Sequence, residues 1–403
     1  APALRKPRDL PVFTAREDGE DDHAYIARWR RQGPVVRDRF GFLCTFSHAH
    51  MLQLTDPKLT RQVETEGFAL RGITSGPAWT FAATSVLLSN GERHGARRRP
   101  LARTFAWKLM DALRPRVRAA AEALIRPQLG AGPIDFIDEV SGPLPALMIA
   151  DILGAPEADI PRFTKLVYSA MRILSNRSDE VMAAAAEDLG RLDAYVKDLL
   201  DARRAAPQDD FLSRYVADVA EADLDAQEIR TQIVTLILAG SDTTRMSLAS
   251  TVSQLLQHPE QWRAFAADPE GLKAAVAAEG LRFDPVIGSL PRVATADFVL
   301  DDVEVKAGAV LAPMVVAALR DPEVYAAPDR FDIHRADHPR YHPVFGAGAH
   351  RCLGEALARA ELEESLAALV ELAPSARLEG PPPVLRGLSG ARGITRMPIS
   401  LAA

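Results

Sequence analysis

The chain has 403 residues, 47% apolar and 25% charged, with a mean hydropathy close to zero and a net charge of −6. This is the composition of an ordinary globular protein with enough apolar material for a core and a buried cofactor, and the negative charge argues against bulk nucleic-acid affinity. Two cysteines, Cys44 and Cys352, exclude a disulfide scaffold and a C-x-x-C zinc or iron–sulfur site, and a free thiol in a working position fits a reducing compartment.

Ala1 to Lys6 run into a charged stretch with no apolar run of a secretory leader. The longest apolar run, Ile233 to Gly240, is too short to span a bilayer, so a soluble, cytoplasmic protein is expected. Short strands are predicted at Pro34-Val35-Val36 and at Phe40 to Phe46, the second placing Cys44 in the core. From Glu92 to Lys108 six cations (Arg93, Arg97, Arg98, Arg99, Arg103 and Lys108) stand against one anion. Such a run is ordinarily a solvated helix face, and alternatively a docking patch for an acidic partner. Helices are predicted over Ala119 to Ile125, Glu180 to Arg204, Asp225 to Gln257 and Glu355 to Leu372. Between them, Phe163, Leu166, Val167, Ala170, Met171 and Leu174 form an apolar stripe that reads as core packing or as a roof over a site. Further strands are predicted over Phe298 to Val305 and Ala309 to Val316. No repeat or linker divides the chain, which predicts a single domain, 1–403, mainly α with a small β region.

Three groups of residues carry chemistry. The first is Phe345-Gly346-Ala347-Gly348-Ala349-His350-Arg351-Cys352-Leu353-Gly354. Glycines let the backbone turn sharply, and the thiol stands just before a helix whose free N–H groups favour a thiolate. That suits a metal ligand or a nucleophile, although a lone cysteine is more often a small buried hydrophobe.

The second is Ala239-Gly240-Ser241-Asp242-Thr243-Thr244, inside the long predicted helix. A helical glycine costs about 1 kcal/mol against alanine. It is explained by close approach of a cofactor, by loosening of the helical ladder, or by nothing functional. Asp242 and Thr243 supply a carboxylate and a hydroxyl, as a proton relay needs. The third is Glu279-Gly280-Leu281-Arg282, an acid and a base three residues apart that would ordinarily be a weak surface ion pair.

Together, and in this order, these motifs resemble those of the cytochrome P-450 family, the haem-thiolate monooxygenases, over nearly the whole chain. The first matches the haem loop at Phe345, Gly346, Gly348, His350, Cys352 and Gly354; the second matches the oxygen-activation motif; the third matches E-x-x-R, with Arg335 as third partner. The resemblance implies a helix-rich body with minor sheets and a long central helix over haem b, whose iron takes the Cys352 thiolate. Ala239 and Gly240 would lie against the cofactor, with Asp242 delivering protons and Thr243 hydrogen-bonding the bound oxygen species. Glu279, Arg282 and Arg335 would brace the cysteine loop. Arg98, four residues after His94, Arg292 and His350 would meet the propionates, with His94 as a further contact. Gly95 and Pro100 put the course of the His94–Arg98 helix in question.

The family implies that O2 and a hydrophobic small molecule react with electrons from a ferredoxin or flavodoxin fed by an NAD(P)H-dependent reductase, without nucleic acid or membrane. That favours the docking reading of Arg93–Lys108. A peroxide-using peroxygenase, and a haem-thiolate gas sensor without turnover, are the alternatives. Substrate walls are placed at Ile73, Trp79, Phe81, Val86, Thr235, Leu238, Ile287, Gly288 and Leu388. Arg71 is read equally as an anchor for a substrate carboxylate or a solvated loop residue.

Overall fold

The computed structural model describes residues 4–174 and 178–402, so Ala1 to Ala3 of the leader reading lie outside the described residues. The chain forms two compact units, each assembled from three separate stretches. One comprises residues 1–63, 278–352 and 383–395; the other comprises 64–277, 353–382 and 396–403.

The first unit holds a five-stranded sheet in the order Val35–Arg37, Leu43–Thr45, Val310–Pro313, Arg292–Ala294, Thr60–Gln62. The pairing of Leu43–Thr45 with Val310–Pro313 is parallel and the other pairings are antiparallel. Cys44 lies in this sheet and is buried, and burial pushes its thiol up to about 12, so it stays neutral. Tyr25 and Trp29 of the helix Asp22–Arg30 join Phe13 and Phe46 in an aromatic cluster over the sheet. The predicted strand Phe298 to Val305 is instead a hairpin, in which Phe298–Leu300 and Val303–Val305 pair antiparallel.

The predicted strand Ala309 to Val316 is shorter than expected. Its strand covers Val310–Pro313, Met314 adds a single bridge to Ser289, and Val315–Ala318 turn into helix. The N–H groups of Ala317 and Ala318 bond to the carbonyl of Met314, so the chain leaves the sheet after that residue. Loop 383–395 is fastened by Arg392, a fully buried guanidinium. It donates to Asp22 (3.0 Å), Asp284 (2.6 Å) and the carbonyls of Pro285 and Leu385.

The second unit is helical. Its spine is Ala226–Gln257, capped by Asp225, whose side chain accepts from the Glu228 N–H while Glu228 reaches back to the Asp225 N–H. Ile233, Val234, Ile237 and Leu238 of this helix are buried with Leu189, Leu192 and Val196 of Asp179–Ala205. The apolar stripe falls on Ile160–Ala170 and the short turn Met171–Leu174. Phe163, Val167, Ala170 and Met171 are core, while Leu166 and Leu174 are partly covered. Helix Gly91–Thr104 runs through Gly95 and Pro100 without interruption, and Pro100 is buried inside it. Glu355–Leu372 has the predicted bounds. Among the described residues no helix is long and apolar enough to cross a membrane.

Candidate functional site: the cysteine loop and the long-helix motif

Within the first unit, Gly346 (φ 71°) and Gly348 (φ 64°) take the left-handed conformation that a side chain disfavours. The turn they create brings the Cys352 N–H to the Phe345 carbonyl at 2.7 Å, and Arg351 closes the loop on the Gly346 carbonyl at 2.8 Å. Cys352 itself is exposed, unlike Cys44. Helix Glu355–Leu372 starts three residues on, with Gly354 at its N-cap.

The Glu279–Arg282 pair is no surface ion pair. Both side chains are wholly buried, with Arg282 Nε and Nη2 donating to the two Glu279 oxygens at 2.7 and 2.8 Å. Arg335 Nε lies 3.3 Å from Glu279, and the Asp332 N–H donates to the same carboxylate at 2.8 Å. Arg282 spends its remaining donors on the carbonyls of Leu319, Pro328 and Arg330. Two histidines that the sequence left unread complete this region. His338 lies 3.6 Å from Glu279, and His342, at the head of the cysteine loop, bonds through Nε2 to the Ala278 carbonyl at 2.9 Å. The loop is therefore tied to the helix Pro269–Phe283 that carries Glu279.

Arg292 is buried on the sheet, bonded to Thr60 Oγ1 (2.9 Å) and more loosely to the Thr60 carbonyl and Gln62 Oε1 (both 3.3 Å). No carboxylate pairs with it among the described residues, and burial pulls its pKa down. A buried cation without a counter-ion fits an anionic ligand. The same unit presents an exposed thiol on a glycine loop and the half-buried His350, so its residues fit the haem that the motif implies.

Ile287, Gly288 and Leu388 also come together here. Ile287 pairs with Ala391, the Gly288 N–H bonds to the Gly390 carbonyl at 2.8 Å, and a β-carbon on Gly288 would stand 2.7 Å from the Leu388 backbone.

In the second unit, the long helix is buried through its middle except at one window. Between Thr231 and Ser253 only Ala239, Gly240, Asp242, Thr243 and Arg245 escape full burial. The helix is unbroken there, and the Thr243 hydroxyl donates to the Ala239 carbonyl at 2.8 Å. Gly240 is explained by neighbours as well as by any cofactor, because a β-carbon would meet Ile149 of the helix Pro143–Ile152 at 3.3 Å.

Asp242 holds Arg245 (2.7 Å to Nε, 2.6 Å to Nη2), and the Arg245 guanidinium lies 3.9 Å from the centre of the Tyr168 ring. Behind the window Glu361 is buried, with one oxygen lacking a hydrogen bond among the described residues. Burial pushes its carboxyl up to about 8, against a smaller opposing pull from the Thr244 hydroxyl. A buried acid nine residues after the cysteine, on one helix face with Ser365, was the available sequence signal.

The cation run is divided. Arg93 and Arg97 both bind Glu228; Arg97 is buried 2.8 Å from it and belongs to no open docking face, while Arg93 stays partly exposed. Arg99, Arg103 and Lys108 stay exposed beside Trp107 and Leu109, with Arg103 3.5 Å from Asp218. Arg98 is half-buried. His94 is buried, and burial, then the charges of Arg98 and Arg97, lower it to about 4, so it is neutral at pH 7.

Of the expected wall residues here, Ile73, Trp79 and Val86 are partly covered and pack on the core. Thr235 is buried, sharing a hydrogen bond with Ser85 at 2.8 Å. Leu238 is fully buried, because 100° of helix turn separates it from Ala239 in the window. Phe81 lines a cavity of about 200 Å³ with Pro77, Thr80, Leu189, Gly190, Asp193, Gln227, Thr231 and Val234. Arg71 is exposed.

A family model described as Cytochrome P450 matches residues 272–372. The chain is 39% identical over 403 residues to cytochrome P450-pinF1, plant-inducible, of Rhizobium radiobacter, covering 98% of this chain and 93% of that protein. It is 33% identical over 320 residues to the mycinamicin IV hydroxylase/epoxidase of Micromonospora griseorubida, covering 78% and 79%. Among solved structures, cytochrome P450 CYP109Q5 from Chondromyces apiculatus matches with a TM-score of 0.85 at 26% identity, covering 97% of this chain and 98% of that one. P450BioI in complex with hexadec-9Z-enoic acid ligated acyl carrier protein matches with a TM-score of 0.85 at 25% identity, covering 94% and 98%. This chain belongs to the cytochrome P450 family: it is a monooxygenase of the bacterial type, and its cofactor is haem held through a cysteine thiolate.

Proposed function

We propose that this monooxygenase inserts one atom of O2 into a small hydrophobic organic molecule, by hydroxylation, epoxidation or O-dealkylation. Electrons come from a separate ferredoxin or flavodoxin and its NAD(P)H-dependent reductase in the cytoplasm. The observation that carries this reading is the window in the long helix, where a carboxylate and a hydroxyl occupy the uncovered positions of an otherwise buried element. A peroxygenase or a gas sensor needs no such pair.

Haem, when bound, supplies the iron that activates dioxygen, and a thiolate ligand favours cleavage of the O–O bond. This chain's residues do the rest. Cys352 offers its sulfur from a loop held by Glu279, Arg282 and Arg335. In the first unit Arg292 and His350 would hold propionates, and in the second Arg98 and neutral His94 would do so. The Asp242 carboxylate would take up and pass on a proton, and the Thr243 hydroxyl, which here donates to the Ala239 carbonyl, would hydrogen-bond bound oxygen. In the first unit the seam of Ile287, Gly288 and Leu388 would contact substrate; in the second unit Ile73, Trp79, Phe81, Val86 and Thr235 are the candidates. The electron donor docks on Arg99, Arg103 and Lys108 around Trp107. Both units belong to one catalytic domain, a reading supported by neither being a continuous stretch of chain.

The test begins with the carbon monoxide complex of the reduced protein, whose red-shifted Soret band Cys352→His should abolish. Ligands found by their low- to high-spin shift are then offered with a surrogate ferredoxin and reductase. Product formed with NAD(P)H supports the reading; fast turnover with peroxide and none with the donors overturns it.

A further inference from the structure

Asp242 is not free in this structure. Its Oδ1 is held by Arg245 at 2.6 and 2.7 Å, and the Arg245 guanidinium is itself seated on the Tyr168 ring at 3.9 Å. Tyr168 belongs to Ile160–Ala170, a different helix, and is fixed from its other end: its hydroxyl donates to the Gly142 carbonyl at 2.6 Å. Burial keeps that phenol neutral. The anchor point is itself fastened, because the Gly142 N–H donates to the Ile137 carbonyl at 2.8 Å.

We propose that Tyr168 and Arg245 are positioning residues that hold the Asp242 carboxylate away from its proton-delivering posture while the 160–170 helix is seated. The proposal rests on the role given above to Asp242. A guanidinium can satisfy a carboxylate and stack on an aromatic face at once, because its donors lie in its plane. Removing the ring therefore loosens the arginine and frees the acid without touching either. The Tyr168 ring packs on the edge of the core, and its seat for the Arg245 guanidinium is additional to that packing.

The readout is leakage in the substrate-free holoenzyme: O2 takes two electrons from reduced ferredoxin and two protons, and leaves as hydrogen peroxide. Tyr168→Leu and Arg245→Gln should raise this peroxide formation about threefold, the factor a cation–π contact of this exposure supports. Tyr168→Phe, which keeps the ring but loses the hydroxyl bond to Gly142, should raise it less than Tyr168→Leu. The C–O stretch of the ferrous carbon monoxide complex gives a second readout that needs no turnover, with Tyr168→Leu and Arg245→Gln shifting or broadening the band more than Tyr168→Phe does. Equal leakage and one common band in all four proteins overturn the proposal. If Asp242→Asn has no effect on coupled turnover, the role of Asp242 fails instead, and the two failures are told apart.

Discussion

Glu279 and Arg282 form a two-bond ion pair from which water is wholly excluded, and Arg282 closes three backbone carbonyls with its remaining donors. Taking two charges out of water costs several kcal/mol per ion, and only complete pairing offsets it. Removing one partner strands the other. Glu279→Ala should destabilise the protein by about 3–5 kcal/mol and leave most of it without haem, while Arg282→Lys should not rescue it, because an ammonium cannot fill a planar fork. Thermal unfolding and the haem-to-protein absorbance ratio check this; a variant with parental melting temperature would refute it.

Arg292 should show effects of opposite sign on holo and apo protein. Its buried guanidinium has no carboxylate partner of its own, so Arg292→Gln relieves a desolvation cost in the apoprotein and stabilises it. The same change should speed haem loss about tenfold or more, the worth of a charge-assisted hydrogen bond. Transfer of haem to an acceptor globin measures the second effect; unchanged transfer would remove Arg292 from the propionate set.

Glu361 makes stability depend on pH in a direction unusual for a carboxylate. Its folded value is about 8 against an ordinary 4.5, so between those values the folded protein binds the extra proton. Its contribution is complete below the ordinary value and is lost as the pH rises through about 8. Glu361→Gln removes the slope. Its melting temperature relative to the parent should therefore rise between pH 6 and pH 9, and an identical difference at both would count against a buried neutral acid.

The cation run should divide functionally as it divides structurally. Neutralising Arg99, Arg103 or Lys108 should slow reduction by the electron donor a few-fold at low salt and scarcely at high salt, as a steering charge does. Arg97→Gln should instead lower the melting temperature, because it leaves the buried Glu228 with one cation fewer. Stopped-flow reduction across a salt series separates the two.

Gly288→Ala should disturb ligand binding while sparing the cofactor. The added methyl collides with the Leu388 backbone rather than with a side chain that can rotate away. Weaker spin shifts with an intact carbon monoxide spectrum are expected, and parental ligand affinities would show that the seam gives way freely.

What the sequence disclosed was mostly local. The Asp225 cap, the Ala/Leu/Glu run of 355–372 and the order of motifs needed no partner to be read. What it concealed was non-local. Arg97 reads as one cation among six until Glu228, 131 positions away, closes on it. Gly240 invites a cofactor explanation, and only the fold adds Ile149 beside it. Val315 and Val316 look like strand by their branching, yet the strand ends at Pro313 and the chain turns to helix. Leu238 is turned into the core by helix phase, which fixing Ala239 in the window would have shown.

Arg392 joins Asp22 near the start of the chain to the loop that carries Leu388 near its end, so these distant stretches form one anchored body. That arrangement separates variation from damage. The Leu388 side chain can be exchanged for larger or smaller ones, generation after generation, on a frame whose backbone is pinned elsewhere. On the proposed reading of Leu388 as a substrate wall, a lineage explores new substrates at this position without renegotiating its fold.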